Sequence, residues 1–111
     1  MRHTWLAVLG LLALPAGGAT ANDYPTEARA DYVIQCMARN GQTQDMLRRC
    51  SCSIDAIAAK LSYQRYLQAE TTLRMRRVGG EKTAIFRDPP HVQAVVDDLT
   101  QAQTESAKRC F

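Results

Sequence analysis

Four cysteines carry the most reactive chemistry of the 111-residue chain, and two of them, Cys50 and Cys52, flank one serine in RRCSCSID (residues 48–55). Sulfur so placed can exchange disulfides, hold a metal or cross-link a fold. Thiol exchange normally uses Cys-x-x-Cys at a helix N-terminus inside a strand–helix–strand pattern. Here the spacing is one residue short and no convincing strand is readable. Zinc needs four soft ligands kept reduced, and beyond the first few residues His91 is the only histidine. Cross-linking is the reading left. A Cys50–Cys52 bridge would close a strained ring inside a helix, so each pairs with Cys36 or Cys110. Cys50 lies in phase with Leu47, Ile54 and Ile57, whereas Cys52 points about 200° away. That phase favours Cys36–Cys50 with Cys52–Cys110. Cys36–Cys52 with Cys50–Cys110 stays open.

Oxygen groups are the second resource. Asp55 follows Cys52 on the same helix pattern. Glu70 falls in phase with Tyr63, Tyr66 and Leu67, which leans it toward a helix seam, and Glu81 and Asp88 bracket an irregular segment. A carboxylate in a seam needs a cation, either an arginine such as Arg74 at i+4 or a metal. Such ligands suit hard cations, calcium or a lanthanide(III) ion, yet no EF-hand spacing is present, so a site would be assembled from separate elements. His91 is a first-turn residue of the last helix. With no Gly-x-Ser-x-Gly and no phosphate loop, no enzyme is expected. Arg74, Arg76, Arg77, Lys82 and Arg87 concentrate positive charge around one helix end, favourable near a C-terminus and suited to docking an acidic protein. Asp97, Asp98 and Glu105 read as a solvated face.

The compartment follows from MRHTWLAVLGLLALPAGGATA. A basic start, an apolar run from Trp5 to Leu14, helix breakers and Ala19-Thr20-Ala21 make a secretory signal peptide over residues 1–21. The run is too short for an anchor, which takes ~20 residues. The mature domain, residues 22–111, is expected in the periplasm or secreted, with no membrane contact after cleavage and no nucleic-acid partner. A formal net charge of +3 on the whole chain names no partner by bulk charge.

These groups must be positioned by helices. Thr26 is the expected N-cap of a first helix with Tyr32, Val33, Cys36 and Met37 inward, stopped at Asn40-Gly41. A second runs from about Gln44 to Leu61, with Leu47, Cys50, Ile54, Ile57, Ala58 and Leu61 on one face. Ser62 caps a third, Tyr63 to Arg77, with Tyr63, Tyr66, Leu67 and Leu73 inward. Glu81–Arg87 is irregular, with Ile85 and Phe86 expected in the core. Asp88 as cap and Pro89 as first residue open the last helix, which buries Val92, Val95, Val96, Leu99, Ala102 and Cys110. The expected fold is all-α, a small antiparallel bundle of about four helices stapled by two disulfides.

The stretches YVIQCMARNGQ, RRCSCSIDAIA, Tyr63-x-x-Tyr66, Ala69-Glu70-Thr71, Gly80-Glu81, Phe86-Arg87-Asp88-Pro89 and Arg109-Cys110-Phe111 resemble a family of small exported bacterial proteins. That family accompanies methylotrophy and quinoprotein alcohol dehydrogenases, and the chain is similar to landiscernin-like lanthanide chaperones. The resemblance implies a periplasmic accessory protein that handles a lanthanide, with Glu70, Glu81, Asp88 and Asp55 as ligand candidates and a metal-linked homodimer as one form. Its partners would be a quinoprotein dehydrogenase, a cytochrome or a metal carrier. Alternatively it implies an adaptor that docks such a partner through its basic end without metal. The segment Lys82-Thr83-Ala84-Ile85 departs from the glycine-richer loop of that family.

Overall fold

The computed structural model describes residues 23–87 and 89–111; the signal-peptide reading and Asp88 lie outside them. Four α-helices follow in order: α1 (Thr26–Asn40), α2 (Gln44–Lys60), α3 (Tyr63–Val78) and α4 (Pro90–Cys110), with a 3-10 helix over Glu81–Phe86 before α4. The fold is a small all-α bundle with two disulfides.

Local chemistry sets the boundaries. The Thr43 hydroxyl accepts from Met46 N–H at 3.1 Å, and that of Ser62 accepts from Arg65 N–H at 3.2 Å. Each satisfies one donor that a helix start leaves unpaired. Asn40 turns back to donate to the Cys36 carbonyl at 2.8 Å, and Gly41, at φ 121°, takes the chain out of α1 through a conformation that costs other residues strain. Two expected starts move by one residue. Pro25, not Thr26, is the N-cap of α1, with no side-chain bond. Pro89 is the N-cap of α4, and Pro90 takes the first helical position. The segment expected to be irregular winds as a 3-10 helix because buried Thr83 folds its hydroxyl onto the Gly80 carbonyl at 2.7 Å.

Only Leu61 and Ser62 separate α2 from α3, so the chain makes an elbow there. α4 is the long spine that serves both arms. Its first half lies antiparallel to α3, joined by Arg65–Asp98 and Arg76–Gln93. Its second half lies antiparallel to α2, joined by Lys60–Glu105 and Arg49 to the Phe111 carbonyl. α1 packs antiparallel on α2, through Arg29–Asp55, Tyr32–Ser53 and the Cys36–Cys50 bridge. The extensive helix contacts are α2 with α4, α1 with α2 and α3 with α4.

The core gathers Ile54, Ile57, Ala58, Leu61, Tyr66, Ala69, Val95, Leu99 and Ala102 around Tyr24. Burying each large aliphatic stabilises by about 1.5–3 kcal/mol. Cys36–Cys50 and Cys52–Cys110 have Cα separations of 5.9 Å and 5.8 Å, within the usual range for a bridge. The pairing is the one the helical phase favours. Three residues expected in the core are exposed instead. Leu67 is 48 % exposed, Ile85 64 % and Leu47 37 %. Leu67 stays out because α3 leaves the elbow away from α1. Ile85 stays out because the 3-10 turn buries Thr83 instead.

Candidate functional site

The elbow is built from tyrosine. The Tyr24 hydroxyl donates to the Leu61 carbonyl at 2.7 Å, satisfying an acceptor at the end of α2. Its ring meets Tyr63 and Tyr66, each at 5.2 Å between centroids, and the Arg29 guanidinium lies 5.5 Å from its centroid. Asp23 accepts from the Tyr63 N–H at 3.2 Å, a second cap for α3. Burial first, then the Asp23 charge, pushes the Tyr24 phenol above its usual range. Burial first, then the Glu70 charge, does the same to Tyr66. Both stay protonated, as hydrogen-bonding and packing groups.

A chain of hydroxyls crosses the bundle beside the sulfurs. Tyr32 meets Ser53 at 2.9 Å and Ser53 meets Ser106 at 3.0 Å, both serines buried. Ser106 donates onward to the Gln103 carbonyl at 2.9 Å. Every buried polar atom here has a partner, so the network binds α1, α2 and α4 to one another. Sequence reasoning passed over Ser53, whose neighbour Cys52 drew the attention, and Ser106, whose signal is a polar residue in the buried phase of α4. All four cysteines are bridged, and none is free among the described residues.

The expected carboxylate ligands are dispersed. Asp55 accepts from Arg29 at 2.6 Å across the α1–α2 seam. Glu70 pairs with Arg74 at 3.5 Å along α3. Glu81 opens the 3-10 helix and is exposed. Among the described residues no group of three or more histidine, cysteine, aspartate or glutamate side chains is placed to hold a metal ion. Glu70 does have acidic company of another kind. With Glu27 and Asp31 of α1 it lines a groove of about 500 Å³ between α1 and α3. Asp98 and Glu105, expected as a solvated face, instead tie α4 to Arg65 and Lys60. Such exposed pairs contribute only about 0–1 kcal/mol each.

The five expected docking cations divide by what they already hold. Arg76 donates to the Phe86 carbonyl at 2.5 Å and to Gln93 at 3.1 Å, pinning the 3-10 turn to α3 and α4. Arg74 answers Glu70, and Arg87 donates to the Gly80 carbonyl at 3.4 Å. Arg77 and Lys82 are exposed and have no partner among the described residues. Val78 follows Arg77, and Ile85 stands three residues after Lys82 on the 3-10 helix; they are 72 % and 64 % exposed. The end of α3 and the 3-10 helix after it therefore make a cationic tip that carries two bare aliphatic side chains. His91 is exposed and lines a separate, mainly apolar groove between α3 and α4 with Thr72, Phe86 and Val95.

No helix among the described residues is long and apolar enough to cross a membrane. No family model, curated protein or solved structure matches the chain.

Proposed function

We propose that the protein is a non-catalytic accessory protein of quinoprotein alcohol oxidation outside the cytoplasm, and that it works by docking an acidic partner, a dehydrogenase or its cytochrome. The observation that carries this reading is the tip, where Arg77 and Lys82, without a partner among the described residues, are accompanied by exposed Val78 and Ile85. Charge of that kind steers a complementary surface and fixes its register, while aliphatic anchors exclude water at the contact. The sequence resemblance supplies the partner class. Disulfides are compatible with an oxidising compartment.

The test is binding to a purified quinoprotein alcohol dehydrogenase and to its cytochrome, at low and at physiological salt. Arg77→Glu with Lys82→Glu is expected to weaken binding at least tenfold and to flatten its salt dependence. Equal binding by wild type and the double variant would sink the proposal.

A second reading, handling of a trivalent or calcium cation, rests on the sequence resemblance; no three carboxylates among the described residues are placed to share an ion within one chain, so the site would be shared between two copies. Light scattering with lanthanum and with calcium checks it. A lanthanum-specific shift in mass, lost in Glu70→Gln, supports it. No response to either ion leaves the docking reading alone.

A further inference from the structure

We infer that the groove between α1 and α3 is a second docking site, for a cationic amphipathic helix of a partner protein. α1 and α3 diverge from the tyrosine elbow and make no extensive contact with each other. One seam of the bundle is thus unfilled. Tyr63 and Tyr66 line its base, and Ile34 and Leu67 form its rims. Ile34 is 67 % exposed and Leu67 48 %, although both sit on helices that bury other apolar residues. A helix laid along α1 would cover both. α1 has 15 residues, about 22 Å of trough at 1.5 Å per residue, enough for three to four turns of a visiting helix.

Charge selects the visitor. Three carboxylates and one guanidinium, that of Arg74, line the groove, an acidic strip on a chain whose formal net charge is +3. Among the described residues Asp31 accepts only from the neutral Gln35, at 2.8 Å. Glu27 has no cationic partner among the described residues, and Glu70 meets its arginine only at 3.5 Å. A helix with apolar residues at i, i+3 and i+4 between lysines or arginines would seat its stripe on Ile34, Leu67 and the tyrosines. Its cations would meet Glu27 and Asp31, which are themselves i,i+4 neighbours. The acidic groove and the cationic tip would then let one small protein hold two partners of opposite charge.

The probe is a fluorescein-labelled 14-residue peptide of leucines at helical spacing with lysines elsewhere. Its scramble and a version with glutamate for lysine are the controls, and anisotropy against the exported, oxidised protein is the readout. The lysine peptide is expected to bind, more weakly as salt rises, with both controls at least tenfold weaker. Ile34→Glu and Asp31→Lys, both at exposed positions, should each weaken it at least tenfold with helix content unchanged and no free thiol. Asp31→Lys should gain affinity for the glutamate peptide. Arg77→Glu with Lys82→Glu should leave lysine-peptide binding unaltered, which separates this groove from the tip. Equal binding of the scramble would overturn the proposal, as would insensitivity to both groove variants. So would a dimer in light scattering that Ile34→Glu dissolves, because the groove's occupant would then be a second copy.

Discussion

Tyr24 does more structural duty than its position before the first helix suggests. Its hydroxyl closes α2, its ring supports the start of α3, and it is buried. Removing only the hydroxyl leaves the Leu61 carbonyl short of a partner, so Tyr24→Phe is expected to cost about 1–2 kcal/mol in urea unfolding at neutral pH. The same phenol makes a pH signature. Tyr24 and Tyr66 ionise above their ordinary value of 10 when folded, so the folded state binds these protons more tightly than the unfolded one. Their contribution is complete below pH 10 and is lost as pH rises toward the folded-state values. With both groups in play the fall approaches about 2.7 kcal/mol per pH unit, and Tyr24→Phe should roughly halve it. Denaturant midpoints between pH 9 and pH 12 check this. A flat profile would mean that these phenols ionise without unfolding the elbow.

At the level of elements, the two staples are unequal. Cys36–Cys50 spans a sequence separation of 14 within the α1–α2 hairpin, and Cys52–Cys110 spans 58, tying the end of α4 to the middle of α2. On the chain-entropy model these loops are worth about 3 and about 4 kcal/mol. Cys52→Ala with Cys110→Ala should therefore destabilise more than Cys36→Ala with Cys50→Ala, read as the difference in unfolding free energy. The reverse order would place the weight on the hairpin. The helices were legible because their signals are local: Ser62 as a cap, Gly41 as a stop, and the period of Ile54, Ile57, Ala58 and Leu61. Ile85 was misread because a 3-10 turn, not an irregular segment, sets which side chain goes inward, and Leu67 because its exposure is decided by another element. The helical period marks an apolar face, yet whether α1 covers that face depends on the angle at the elbow. Glu70 was readable as a charge leaning into a seam, and Asp55 only as a carboxylate on the second helix. Which cation each meets is geometric: Arg29 lies 26 residues from Asp55 in sequence, while Arg74 at i+4 from Glu70 was visible in the helical spacing.

For the whole molecule, a thin core makes the sulfur decisive. The two bridges together contribute about 7 kcal/mol, against the 5–15 kcal/mol that ordinary domains possess in total. Full reduction is expected to remove most of the far-ultraviolet helix signal at neutral pH, whereas an undiminished cooperative melt would show that packing alone suffices. The connectivity has a further consequence for how the protein is made. Each cysteine is joined to the next one along the chain, first to second and third to fourth. An oxidant that meets the thiols in their order along the chain therefore forms native pairs at once. No sulfur has to be released and reshuffled, so biogenesis calls for an oxidant and leaves a disulfide isomerase with nothing to correct.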